Sequence, residues 1–147
     1  MYGGGVSEFA AIIQGMPERL GRHNIIAFVI IVDVERAKAF YGGVLGLRLV
    51  EEEPPFAIVF DANGIMLRLV MGKERAPIQG TVLGWEVPDV GGAVTELEAA
   101  GVVFERYGFL PQDSRGIWTT PTGGRVAWFQ DPDGNTLSIS EHPAKGV

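Results

Sequence analysis

Ile25 to Val32 is an unbroken apolar run of strand length, rich in β-branched residues, which is the pattern of a strand covered on both faces. Asp33 follows in helix-capping position, and Val34, Ala37, Phe40, Tyr41, Val44 and Leu45 recur at helical spacing until Gly46. Leu47 to Glu51, Phe56 to Phe60 and Ile65 to Val70 then predict short strands, separated by Pro54-Pro55 and by Asp61-Ala62-Asn63-Gly64. The unit reads β-α-β-β-β. After a polar joint from Gly72 to Gly80 the pattern begins again, with Thr81 to Val87 as a strand and Asp89 as a cap. Val90, Ala93, Val94, Leu97 and Ala100 form a helical stripe that ends at Gly101. Val102 to Tyr107 is expected as a strand, followed by a long loop carrying Pro111, Asp113 and Arg115. Arg125 to Gln130 and Thr136 to Ser140 close the unit as a hairpin.

The hairpin turn, Asp131-Pro132-Asp133-Gly134, combines a residue that presets φ, an aspartate that bonds its own backbone, and a glycine that accepts positive φ. Behind it Leu137 and Ile139 alternate with Thr136, Ser138 and Ser140, so one face packs and the other is free. The two halves match in register, Asp33 answering to Asp89 and Gly64 to Gly134, with Met66 to Val70 equivalent to Thr136 to Ser140. Such a duplication implies two units packed together. The expected fold is α+β: tandem βαβββ modules forming a curved mixed sheet around a cleft, with the helices on the convex side. Residues 1–24 read as a loosely held leader with a short helix around Ser7 to Gln14, and Met16-Pro17 offers an alternative start. Residues 25–72 are the first module and 80–142 the second, within one structural domain.

Composition narrows the function. A chain of 147 residues with 46% hydrophobic content can bury one core. The net charge of -6, with no clustering of the 12 lysines and arginines, argues against a nucleic-acid surface. No apolar run approaches membrane-spanning length and no secretory signal is evident, so a cytoplasmic location without membrane association is expected. The absence of cysteine excludes thiol chemistry.

The order of elements, together with Asp33, Ala37, Phe40-Tyr41, Leu45-Gly46-Leu47, Val87-Pro88-Asp89-Val90, Leu97, Ala100-Gly101-Val102 and Phe129 through Leu137, resembles the vicinal oxygen chelate superfamily. That superfamily includes glyoxalase I, extradiol dioxygenases, fosfomycin resistance enzymes and bleomycin resistance proteins. The resemblance implies a cleft in which metal-using members take a divalent ion with His, Gln or Glu side chains from four strands. Those positions correspond here to Ile26, Arg68, Val82 and Ser138, which do not suit such an ion. His23 and His142 lie outside the motif strands. No metal and no other cofactor is expected.

Period-two parity carried from these positions puts Ile26, Phe28, Ile30, Met66, Arg68, Val70, Val82, Gly84, Glu86, Thr136, Ser138 and Ser140 on the cleft side. The ligand-binding candidates are therefore Ile26, Phe28, Arg68, Val82, Glu86 and Ser138, joined by Trp118, which can stack on a planar ligand. Arg68 can pair with Glu86 or meet an anion, and Glu86 is the one catalytic candidate, as a general base without an identified partner. Trp85 and Trp128 read as core aromatics. The expectation is a small-molecule binder, homodimeric, with a metal-dependent lyase, isomerase or dioxygenase as the alternative.

Overall fold

The computed structural model describes residues 19–75 and 78–143; the leader helix expected around Ser7 to Gln14 lies outside them. The first module runs β1 (Ile26–Ile31), α1 (Val34–Ala37) continuing into a π-helical segment (Lys38–Val44), β2 (Arg48–Glu53), β3 (Ala57–Ala62) and β4 (Ile65–Met71). The second runs β5 (Thr81–Glu86), α2 (Val90–Ala99), β6 (Trp118–Thr119), β7 (Arg125–Gln130) and β8 (Thr136–Glu141). Each module is a four-stranded mixed sheet, ordered β1-β4-β3-β2 and β5-β8-β7-β6, with the first strand parallel to the last and the others antiparallel. The tandem α+β architecture expected from the repeat is present.

Local chemistry explains most boundaries. The Asp33 carboxylate accepts the Arg36 N–H at 3.0 Å, capping the first helix. The helical stripe read there as α-helical widens after one turn, and the Leu45 N–H reaches back five residues to the Phe40 carbonyl at 2.9 Å. In that wider turn Phe40 and Tyr41 both pack inward, toward Phe129 at 6.4 Å and Phe60 at 6.2 Å between ring centroids. Gly64 and Gly134, at φ 95° and 85°, close equivalent turns ahead of β4 and β8.

Two local expectations are corrected. Asp89 stands at the N-cap of α2 but its side chain makes no capping bond there. Glu141, at the end of β8, accepts the Val90 N–H at 2.8 Å and also meets Arg125 at 3.4 Å. Glu141→Ala is therefore expected to cost about 0.5–2 kcal/mol, the range of a lost helix cap, and Asp89→Ala measurably less; urea unfolding of the two variants checks this. Val102 to Tyr107 is not a strand. It makes one bridge, Phe104 to Phe129, and the edge of the second sheet is β6 instead. The Gln112 side chain takes the place of a strand partner, its Oε1 accepting the Tyr107 N–H at 2.6 Å and its Nε2 donating to the Glu105 and Gly116 carbonyls at 2.9 and 2.7 Å.

One core serves both modules. Ile31, Phe60, Leu67 and Leu69 of the first sheet join Val90, Val94, Phe129 and Leu137 of the second in a single buried cluster. The turn after β7 locks the modules together through polar contacts. Asp131 Oδ1 accepts the N–H groups of Asp133 and Asn135, both at 2.9 Å, while Oδ2 accepts the Tyr41 hydroxyl at 2.7 Å and the Asn135 amide at 2.8 Å. The Asn135 amide also donates to the Ile30 carbonyl at 2.9 Å, and Asp133 Oδ1 accepts the Val32 N–H at 3.3 Å and Arg36 at 3.4 Å. These side chains occupy groups at the end of β1, and the described residues form two four-stranded sheets with no β1-to-β5 ladder between them.

Candidate functional site

Alternation along the strands gives each sheet one face in the core and one open face. On the first sheet Ile26 lies beside Met66, Phe28 beside Arg68 and Ile30 beside Val70. The rows continue across β3 to Asp61, Val59 and Ala57, and from there to Glu51 and Glu53 on β2. Ile26, Phe28, Ile30 and Met66 remain exposed on this face, Phe28 by 61%. Their neighbours along β1, Val29 and Ile31, are buried. The opening apolar run, read as a strand covered on both faces, is thus covered on only one face within the described chain.

Arg68 pairs with Glu53, not with Glu86, and makes its charge-assisted hydrogen bond to that carboxylate. This bond holds the Glu53 carboxyl below its ordinary range, with partial burial opposing. Sequence parity placed Arg68 on the correct face but could not supply its partner, since that required the pairing of β2 through β3 to β4.

On the second sheet the open face carries Gly84 beside Ser138 and Glu86 beside Ser140. It extends through Trp128 beside Ser138 and Val126 beside Ser140, then to Trp118 beside Val126. A Cβ on Gly84 would stand 2.5 Å from Ser138 Oγ, so only glycine lets that hydroxyl lie over the strand. Trp128, read from sequence as a core aromatic, is corrected to this face. It stacks against Trp118 at 6.2 Å and meets Tyr107 edge-on at 5.5 Å, and Tyr107 in turn stacks on Phe109 at 5.7 Å. The signal was present: Trp128 and Ser138 stand at equal distances from Asp133 in a hairpin, which makes them partners. Trp85 packs against the core, as read.

Tyr107 is pushed toward a higher pKa by partial burial first and by Glu105 second, while a hydrogen bond to Thr136 works the other way. The loop after α2 is held by Asp113, whose Oδ1 accepts the Arg115 and Ile117 N–H groups at 2.8 and 2.9 Å. The Ile117 bond is the main reason the Asp113 carboxyl lies below its usual range.

The predicted residues therefore fall into three places. Ile26, Phe28 and Arg68 share the first open face, and Trp118 and Ser138 the second. Val82 sits where the β5 register shifts, so that Thr81 rather than Val82 opposes Thr136. It lines a hollow at the seam between sheets with Phe28, Val29, Ile30, Ile78 and Asn135. Glu86, beside Ser140, belongs to the second open face and is exposed at the end of β5, where the strand end also borders a different hollow with Leu45, Trp85 and Leu97.

A profile of the Glyoxalase/Bleomycin resistance protein/Dioxygenase superfamily matches residues 24–139. The chain belongs to this superfamily. Among curated proteins none matches the chain. A lactoylglutathione lyase from Agrobacterium tumefaciens is similar to it at 22% identity and TM-score 0.64, over 82% of this chain and 93% of that one. A superfamily member from Sphaerobacter thermophilus DSM 20745 is similar at 23% identity and TM-score 0.64, over 82% and 97%. The fosfomycin resistance protein FosX from Mesorhizobium loti is similar at 16% identity and TM-score 0.58, over 82% and 92%. At these identities the likeness is one of fold.

The superfamily's metal chemistry can be tested against the side chains present. At the four corresponding positions stand two aliphatic side chains, a guanidinium already paired with Glu53, and the Ser138 hydroxyl. That donor set does not fit a divalent ion. Among the described residues no three His, Asp or Glu side chains converge as a metal site. No helix among them is long and apolar enough to cross a membrane.

Proposed function

We propose that this superfamily member binds a small, planar organic molecule against its open sheet faces without a divalent ion. The observation that carries the reading is the aromatic wall of Trp118, Trp128 and Tyr107 beside the Ser138 and Thr136 hydroxyls. It supplies stacking surface and a few polar contacts, the make-up of a small-ligand site. Sequence parity pointed to an anion at Arg68. The Glu53 carboxylate now meets that charge, and Glu51 lies on the same face, so the electrostatics there do not call for an anion. Glu86 as a general base has no support in this geometry, because no ionic partner or hydrogen-bond donor meets its carboxylate among the described residues.

Self-association belongs to the same proposal. Ile26, Phe28, Ile30 and Met66 leave apolar surface exposed on one side of the first sheet, and a second copy would cover it and help enclose the ligand.

The test is elemental analysis of metal-stripped protein after incubation with Mn, Fe, Ni, Zn and Mg, read beside thermal melting. No retained metal and no shift are expected. A planar ligand that binds the folded state should raise the melting temperature, the stabilisation reaching about 2.7 kcal/mol at a hundredfold excess over Kd, and Trp128→Ala should abolish the rise. Stoichiometric retention of one metal would overturn the proposal in favour of a lyase, isomerase or dioxygenase.

A further inference from the structure

A second hollow of about 260 Å³ lies away from both open faces, on the core side, where the modules meet. Its walls are Leu45 and Leu47 from the first module and Trp85, Val87, Ala93, Leu97, Phe129 and Ile139 from the second. The sequence keeps it from filling. Ala93, in the first turn of α2, brings only a methyl group to the lining opposite Leu45 and Leu47. One turn further on, Glu96 stands on the same helix face as Ala93 and borders the hollow, while the end of β5 at Glu86 closes the other side with its side chain alternating to the open face.

Glu96 is the charged side chain at the rim of the hollow, and it enters no ion pair among the described residues. An adjoining shallow recess adds Asp89 beside Val87, Pro88, Gly92, Ala93 and Glu96, again without a lysine or arginine. An apolar floor that includes an indole, under a rim of one sign of charge, is complementary to one kind of molecule. Its apolar body would leave water for the floor, and its positive end would stay at the rim beside Glu96, on the side of the recess that holds Asp89, and near the Trp85 ring.

We propose that this hollow is a binding site for a small amphipathic cation, of the arylalkylamine class. It does not depend on the planar-ligand reading of the open faces, and no residue is shared between the hollow and the aromatic wall. The site discriminates by charge. A neutral molecule of the same shape gains only the floor, and a carboxylate is repelled at the rim.

The experiment is a titration of isotopically labelled protein with 2-phenylethylamine, followed by amide chemical shifts, with 2-phenylethanol and phenylacetate as the neutral and anionic counterparts. Shifts are expected at Leu45, Leu47, Val87, Ala93, Glu96 and Leu97. The amine should bind several-fold tighter than the alcohol. Glu96→Gln, on an exposed side chain that leaves packing intact, should weaken the amine about threefold, the scale of one exposed ionic contact, without changing the alcohol. Leu97→Trp, which fills the hollow, should remove both responses. Equal binding of amine and alcohol, an amine response unchanged by Glu96→Gln, or no response at the hollow would each overturn the proposal. Shifts confined to Trp128 and Ser138 would also overturn it, while leaving the open-face reading intact.

Discussion

Phe129→Ala is expected to lower the unfolding free energy by about 3–5 kcal/mol, the range for removing a buried aromatic ring from a close-packed core. Phe129 has no exposed surface, meets Phe104 edge-on at 5.5 Å and Phe40 at 6.4 Å, and so joins β7 to the helix of the other module. Its removal opens a void that neither sheet can close alone, since the walls belong to separate hydrogen-bonded ladders. Urea unfolding with the m-value compared to the parent chain measures the loss. Phe28→Ala is the control, because that ring is exposed on the first open face and should change stability by no more than about 0.5 kcal/mol. Similar losses for the two variants would mean that the modules do not share the core described here.

The second large effect is expected at Asp131. Its carboxylate is 4% exposed and accepts four hydrogen bonds, two from the backbone of its own turn, one from Asn135 and one from Tyr41. Asp131→Asn turns an acceptor into a donor facing donors and should cost about 2–4 kcal/mol, since bonds to a charged acceptor are stronger than neutral ones and the unpaired partners remain buried. Tyr41→Phe removes one of the four and should cost less, about 1.5–3 kcal/mol. The two losses should fall short of additivity in the double variant, because the substitutions break the same contact.

The Tyr41 bond also sets a pH dependence. Burial first, and the Asp131 charge second, push the Tyr41 phenol well above its ordinary value of 10.0 in the folded chain. The folded state keeps a proton that the unfolded chain gives up near pH 10, so this contribution is complete below that pH and declines as the solution becomes more alkaline. Tyr41→Phe should flatten part of the alkaline loss of stability.

What could be read from the sequence was whatever depends on neighbours along the chain. The alternation in Ile26 to Ile31, Met66 to Val70 and Thr136 to Ser140 assigned faces correctly because side-chain direction in a strand repeats every second residue. Asp33 capped its helix because the bond spans three residues. Three failures arise where another side chain took the part that a local rule assigned. Glu141 replaced Asp89 as the α2 cap from the far end of the module, and Gln112 replaced the missing strand partner of Glu105 and Tyr107. Arg68 found Glu53 because two hairpins brought them together.

The candidate site was legible to the same extent. Parity placed Ile26, Phe28, Arg68 and Ser138 on open faces, but the bulge at Val82 breaks strict alternation, and nothing in the spacing revealed that Trp128 and Tyr107 would gather beside Trp118. The Asp-Pro-Asp-Gly stretch drew attention as a turn. Its role as the tie between modules rests on Tyr41 and the end of β1, distant in sequence and therefore invisible to any local pattern.

That tie has a consequence for the order in which the molecule assembles. The Tyr41 to Asp131 bond spans 90 residues and the Asn135 to Ile30 bond 105, so most of the described chain must be synthesised before either can form. A nascent chain that has produced only the first module still presents one side of β1 unpaired, on a strand of Ile, Val and Phe, the kind of edge that templates aggregation. The closing hairpin thus acts as a late-arriving guard for the earliest strand, and a ribosome that stalls before Asn135 releases a chain whose first sheet has no cover.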